Sequence, residues 1–297
     1  MTNGIVNVYK EKGFTSFDVV AKMRGIFHQK KVGHTGTLDP DAEGVLPVCL
    51  GSATKVCDVL TDKDKEYETV LLLGLETDTQ DVSGAVLSER EVSVTEEEVR
   101  SVISSFVGDL MQVPPMFSAL KVNGQKLCDL ARKGVEVERK ARPVTVHEIE
   151  ILDMRLPRVY MRVHCGKGTY IRTLCRDIGE MLGCGGCMEQ LVRTRVSDFA
   201  LQDALWLSEI EEALAAGKTD FIRPVDSVFQ HYPAVTAAPE AQKFIDNGNR
   251  IPKELTDGEF TGGQTVRLCD AAGRFVGLYS CERDTQDYKP VKLFFDR

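Results

Sequence analysis

Three carboxylates, Asp39, Asp41 and Glu43, stand two residues apart in the glycine-rich stretch GHTGTLDPDAEGVLP, from Gly33 to Pro47. Such spacing suits either a hard cation or nucleophilic and acid–base work by one of the three. Asp39, Asp41, Glu43 and Gly44 fall at positions one, three, five and six of an EF-hand loop. Position twelve, which needs a bidentate Glu, is Leu50, and Pro40 occupies position two, so a calcium loop is disfavoured. The glycines match neither a P-loop nor a dinucleotide fingerprint. Cys184-Gly-Gly-Cys187 has the spacing of half a zinc site or a redox pair, but no second close Cys or His pair accompanies it. What remains is a single carboxylate before a proline, a pattern that on residue type alone also suits an ordinary turn.

The elements around this loop can be read from periodicity. Ser16 is placed to cap a helix in which Val20, Met23 and Phe27 recur at helical spacing. Tyr67 to Leu75 is a nearly continuous apolar run that predicts a strand buried on both faces, closed by the turn TDTQD. Thr95 and Glu98 make a capping box ahead of Val99, Val102, Ile103 and Phe106. From Val113 to Pro143 the pattern becomes a long excursion, with a turn at Asn123-Gly124 and a short helix from Leu127 to Arg132 that Gly134 stops. Val159 to Cys165 alternates with period two, and a helix carrying Ile171, Leu174, Ile178 and Met181 follows, with Tyr170 and Arg172 in its first turn. Beyond about His231 the chain turns to short strands, VRLCD and RFVGLYS around AAG, then VKLFF.

A chain of 297 residues, 42% hydrophobic, can bury a large core and a smaller unit beside it. It contains no apolar run of membrane-spanning length and no signal-type start, so a soluble, cytoplasmic protein is expected. Nine scattered cysteines are expected to be reduced thiols. The net charge of −8 argues against indiscriminate nucleic-acid binding, but the charge is segregated. Glu76 to Gln112 holds nine acidic residues against Arg90 and Arg100, whereas Lys121 to Arg142 holds seven basic residues against three acidic ones. A polyanion can dock on the second segment while the first stays in solvent; solvated faces alone would explain the same runs.

Five stretches in register carry more: GHTGTLDP, GVLPVCLGSATK, KEYE, PPMFSALKVNGQKL and KGTYIRTLCRDIGE. In this order and at these separations they resemble the TruB family of bacterial tRNA pseudouridine-55 synthases, from about Gly4 to Phe199. The resemblance implies an isomerase that breaks the N1–C1′ bond of uridine 55 in the tRNA T arm, turns the uracil and rejoins C5 to C1′. Reactant and product are isomers, so no cofactor and no metal are implied. Asp39 is then the catalytic carboxylate, ionised at neutral pH. Tyr67 is the residue that stacks on the base, and Arg172 the cation that pairs with Asp39. Tyr170, Lys55 and Leu191 match pocket positions, and His34 matches a histidine inserted into the RNA to help extrude the base. Asp41 and Glu43 depart from the family, where apolar or hydroxyl residues are common. Taken singly, Tyr67 reads as a core aromatic, His34 as a structural histidine and Arg172 as a solvent-facing helix residue.

The resemblance also implies the architecture. This is an α+β fold, a pseudouridine-synthase-like mixed and mostly antiparallel sheet with flanking helices, followed by a small C-terminal PUA-like β-barrel. Residues 1–230 would form the catalytic domain, with 112–143 an RNA-clamping thumb that carries Lys121, Lys126, Arg132 and Arg142 and is mobile without RNA. Residues 231–297 would form the second RNA-binding unit, carrying Arg250, Lys253, Arg267 and Arg274. The expected partner is the tRNA T stem-loop, with no membrane, no obligatory protein partner, no guide RNA, and the chain a monomer. Two other readings share these features: an RNA-folding factor whose chemistry is secondary, and a guide-RNA-dependent catalytic subunit with the same Asp motif.

Overall fold

The computed structural model describes residues 1–122, 124–258, 262–285 and 287–294, so Asn123 of the expected turn and Phe295 of VKLFF lie outside the described residues. The chain opens with β1 (Gly4–Lys10), α1 (Ser16–Ile26), β2 (Val32–His34) and β3 (Glu43–Leu50). A 3-10 segment, Gly51–Val56, leads to α2 (Cys57–Thr61), β4 (Lys65–Leu73) and a small hairpin of β5 (Leu75–Thr77) and β6 (Val86–Glu89). After α3 (Glu96–Ser104) and β7 (Gly108–Gln112) come β8 (Lys121–Val122), β9 (Gln125–Lys126) and α4 (Leu127–Ala131). Then β10 (Arg142–Arg155), β11 (Arg158–Cys165), α5 (Ile171–Met181), β12 (Gly186–Val196), β13 (Phe199–Ala200) and α6 (Leu207–Ala215) complete the larger unit. The remainder holds β14 (Ala234–Thr236), α7 (Gln242–Asp246), β15 (Thr265–Cys269), β16 (Phe275–Cys281) and β17 (Tyr288–Leu293).

The large sheet runs β1-β3-β12-β4-β11-β10-β7, with β2 on β3 and β13 on β12. Its strand pairs are antiparallel except β12 with β3, so the expected mixed, mostly antiparallel sheet is present. The central strand β4 ends at Leu73 rather than at the expected Leu75, because Gly74 takes φ +88 and hands Leu75 to the β5–β6 hairpin. One face of the sheet buries Leu71, Val159, Met161 and Val163 against Leu174 and Ile178 of α5 and Val99 and Ile103 of α3.

Two local expectations change. The cap of α1 is Thr15, not Ser16: Thr15 and Asp18 form a reciprocal capping box, which Ser16 could not form because Val19 stands three residues beyond it. Cys184-Gly-Gly-Cys187 is a packing device. A Cβ on Gly179 of α5 would stand 2.3 Å from the backbone of Gly185 and Gly186, so glycine on both sides lets the helix lie directly on β12. Cys184 and Cys187 are buried, all nine cysteines are free, and burial pushes the Cys187 thiol up to about 11.

The C-terminal strands form a four-stranded sheet, β14-β15-β16-β17, with β14 parallel to β15. Among the described residues its outer strands β14 and β17 do not pair directly with each other, but the segment 251–257 bridges both, Ile251 with Tyr288 and Thr256 with Ala237. Val235, Ile251, Val266, Leu268 and Tyr279 give it a core of its own. Leu278 and Phe294 join Phe229, Ile5, Val45 and Cys49 in a second core that seats this sheet on the larger one. Among the described residues no helix is long and apolar enough to cross a membrane.

Candidate active site

The loop that carries Asp39 is tied down on both flanks. Ser16 Oγ accepts from Leu38 N at 2.9 Å and donates to Leu38 O at 3.3 Å, and the Leu38 side chain is buried in the main core. Beyond Asp39, Gly13 N donates to Pro40 O at 2.9 Å. Lys10, wholly buried at the end of β1, donates from Nζ to the carbonyls of Glu11 (3.1 Å), Pro40 (3.0 Å) and Ala42 (2.5 Å). Burial lowers the Lys10 pKa to about 8, against the upward pull of Asp39, Glu43 and Asp41. A buried cation on three carbonyls holds backbone in place; Lys10 is a residue the sequence reading missed.

Arg172, in the first turn of α5, is 4% exposed, contrary to the solvent-facing reading of its residue type. Its Nε lies 3.0 Å from Asp39 Oδ2 and its Nη2 donates to Asp39 Oδ1 at 3.2 Å, a forked pairing that fixes the carboxylate in plane. The remaining donors are spent on the carbonyls of Thr79 (3.0 Å) and Phe117 (2.7 Å), with Asp81 Oδ2 at 3.9 Å from Nη1. The guanidinium is thus held from three separate segments. Asp39 itself keeps 38% of its side chain exposed, so a substrate can reach it. Burial raises the Asp39 pKa above the ordinary carboxylate value, Arg172 pulls it down, and Asp81 adds a further upward push. The net direction is upward, whereas the pairing with Arg172 alone would have lowered it.

Tyr67 and Arg193 are cross-strand partners on β4 and β12. Arg193 is 1% exposed and donates from Nε to Val45 O (2.7 Å) and from Nη2 to Gly36 O (3.3 Å), so it braces the loop on its other side. Burial pushes the Tyr67 phenol up, Arg193 beside it pulls down, and Asp39 is close enough to raise it further. Arg193 was also missed, although it shares its strand face with Leu191, an inward position where an arginine is out of pattern. Gly44 makes this packing possible: it takes φ +102, and a Cβ there would lie 2.3 Å from Arg193 O.

The other expected site residues divide. Leu191 is buried beside Tyr67 in the main core. Tyr170 is the N-cap residue of α5, and the Gln112 amide clamps its backbone N (2.8 Å) and O (3.1 Å). Burial raises the Tyr170 phenol, and both Arg172 and Asp39 act on it. His34 ends β2, and its Nδ1 accepts from Gly36 N at 3.3 Å. Burial, followed by Arg193, lowers its pKa, which favours a neutral ring. Lys55 is different: its Nζ donates to Leu293 O at 2.8 Å, tying the 3-10 segment to β17 rather than standing with the Asp39 cluster. Asp41 is exposed, and Glu43 accepts from the Tyr9 hydroxyl at 3.4 Å, so neither shares the geometry of Asp39.

The basic excursion leaves β7 and returns on β10 where Gln112 pairs with Arg142. Its base reaches the site through Phe117 O and the Gln112 amide, while Lys121, Lys126, Arg132 and Arg142 are exposed. Lys121 stands directly opposite Lys126, a like-charge pair that disfavours the hairpin unless an anion lies against it. Arg132 has Asp129 at 3.8 Å. In the C-terminal unit Arg250, Arg267 and Arg274 are each ion-paired within the chain, to Glu282, Asp226 and Asp270.

Residues 24–171 match the TruB family pseudouridylate synthase N-terminal domain, and residues 172–230 the tRNA pseudouridylate synthase B C-terminal domain. Asp39 falls in the first match and Arg172 opens the second. The chain is 52% identical to tRNA pseudouridine synthase B of Lachnoclostridium phytofermentans, over 98% of this chain and 99% of that one. Its identity to the same-named protein of Alkaliphilus oremlandii is 48%, over 99% of each. Among solved structures it resembles a chain of a Cbf5-Nop10-Gar1 complex, with a TM-score of 0.73 and 27% identity over 99% of this chain and 85% of that one. It also resembles a chain of an H/ACA RNP bound to a substrate RNA containing 2′-deoxyuridine, with a TM-score of 0.71 and 26% identity, over 99% of this chain and 86% of that one.

Proposed function

This chain belongs to the TruB family of tRNA pseudouridine synthases, isomerases that act on tRNA, and from that premise we propose that it converts uridine 55 of the T arm to pseudouridine with Asp39 as the reacting carboxylate. The observation that carries this reading is the forked Arg172–Asp39 pair, oriented yet open on one side, beside Tyr67. Asp39 attacks C1′ or removes a sugar proton, and the N1–C1′ bond breaks. Uracil turns within the pocket, C5 bonds to C1′ as Asp39 is expelled from that carbon or returns the proton to the sugar, and the C5 proton leaves as N1 takes one up. The reaction conserves atoms and electrons, so it needs no redox cofactor and no nucleotide.

Tyr67 stacks on the uracil and helps remove the C5 proton. His34, neutral and at the loop's edge, fills the gap left when the base turns out; stacking contacts of this kind contribute about 1–3 kcal/mol per base. Leu191 and Tyr170 close the pocket. Residues 112–143 clamp the RNA through Lys121, Lys126, Arg132 and Arg142. Residues 231–297 form a PUA-like unit whose share of the affinity is limited, because Arg250, Arg267 and Arg274 already have carboxylate partners. The protein works in the cytoplasm, as a monomer, without guide RNA or a protein partner.

Purified protein and an unmodified tRNA transcript test this reading. Pseudouridine is expected at position 55 with the wild type. Asp39→Asn is expected to abolish it while RNA binding persists, and Asp41→Ala and Glu43→Ala to stay within about tenfold of wild type. Loss in Asp41→Ala equal to that in Asp39→Asn would overturn the assignment, and an inactive pure protein that regains activity with a guide RNA would favour the guide-dependent reading. Growth rescue by Asp39→Asn would favour the RNA-folding role.

A further inference from the structure

On the solvent face of the sheet, cross-strand carboxylates are paired with arginines. Glu68 and Glu150 flank Arg162, Glu66 meets Arg195, and Glu189 meets Arg158. At one end of this ladder the pattern breaks: Asp64, just ahead of β4, faces His147 of β10 and His164 of β11. His147 Nε2 lies 3.4 Å from Asp64 Oδ2, and the two imidazole rings stand 4.8 Å apart at 49°. One donor atom from each of the three residues lies within 4.8 Å of the others.

A β-bulge lies at this end of β10. Val146 pairs with Cys165 and Glu148 with His164, so His147 is an extra residue with no partner of its own. Val144 and Val146 point into the core, so alternation sends His147 outward to the side of His164, and the bulge sends Glu148 outward as well and leaves His147 without a cross-strand partner. The backbone of Asp64 is held in turn by Ser197 N, which donates to Asp64 O at 3.1 Å.

Two imidazoles and one carboxylate form the donor set of borderline divalent transition metals rather than of magnesium or calcium. Ligands about 2.0–2.1 Å from a tetrahedral ion lie about 3.3 Å apart, close to the His147–Asp64 separation. His164 needs only a side-chain rotation, for which the half-exposed setting leaves room. We propose that Asp64, His147 and His164 form a binding site for a divalent transition metal of the zinc–nickel class, completed by water, that ties β10 and β11 to the start of the strand bearing Tyr67. The site is separate from the Asp39–Arg172 pair and takes no part in the isomerisation.

Calorimetric titration of the full chain with Ni²⁺ tests this. One saturable ion per chain is expected for the wild type, weakened at least about tenfold in His147→Asn and in His164→Asn. These side chains lie on the surface, so each variant should keep the metal-free melting temperature of the wild type. Ni²⁺ should raise that temperature in the wild type and leave the double variant unchanged. A nickel anomalous peak among the three side chains, in wild-type crystals soaked in Ni²⁺, supports the site without any variant. Equal Ni²⁺ binding by wild type and double variant, or no saturable binding by the wild type, overturns the proposal; thiolate-to-metal bands with Co²⁺ would assign the ion to cysteines instead.

Discussion

Arg172→Lys separates charge from geometry at the Arg172–Asp39 pair. Lysine keeps a cation in the cavity, but its ammonium cannot supply two coplanar bonds to Asp39 together with bonds to Thr79 O and Phe117 O. At least one buried carbonyl loses its donor, which costs about 1–3 kcal/mol of stability. The carboxylate also loses its fixed plane, and misplacement of a reacting group by about 1 Å can cost about a hundredfold in rate. The expected result is a folded protein with lower urea resistance, nearly unchanged RNA affinity, and a single-turnover rate reduced about a hundredfold. Single-turnover tritium release from a C5-labelled T stem-loop measures that step directly. The pH profile adds a second reading. Burial holds the Asp39 pKa up and Arg172 opposes it, so Arg172→Met should drive it higher still and move the acid limb of the rate to higher pH. A single-turnover rate within about threefold of wild type for Arg172→Lys, at full occupancy, would refute the argument that forked pairing matters.

Three further outcomes are expected. Thr15→Ala should cost about 1 kcal/mol through the lost capping box with turnover preserved, whereas Ser16→Ala should slow turnover by freeing Leu38 beside Asp39; urea unfolding and single-turnover rates on both variants check this. Lys121→Ala with Lys126→Ala should weaken T stem-loop binding and flatten the slope of log affinity against log salt by about one per lost phosphate contact, measured by filter binding. Gly44→Ala should reduce stability by more than about 2 kcal/mol, as measured by thermal melting, because both its φ and the approach of Arg193 exclude a Cβ.

The proposal of Asp39 as the reacting carboxylate was legible in the sequence, because five local stretches in register single it out from Asp41 and Glu43. Strand and helix periodicity likewise pointed to α3, α5 and β11, where a buried face imposes a regular spacing. The cap of α1 was readable but misassigned: Asp18, three residues beyond Thr15, carried the signal. Hidden from any local reading were the contacts that span the chain, such as Arg172 with Asp39 at a separation of 133 residues and Arg193 with Val45 at 148. Lys10 reads as a surface lysine until β1 and the loop meet around it.

By itself, then, the sequence determined which chemical groups are present, the order in which they arrive, and the elements that carry them, since these depend on residue type and short-range spacing. Only the tertiary structure decided which charges are buried and whom they face. Lys10, Arg172 and Arg193 are ordinary surface residues by type, and they become buried fixtures because strands distant in sequence supply carbonyl and carboxylate partners that offset their desolvation. The same holds for His147 and His164, separate strand positions in the sequence that the pairing of β10 with β11 brings side by side.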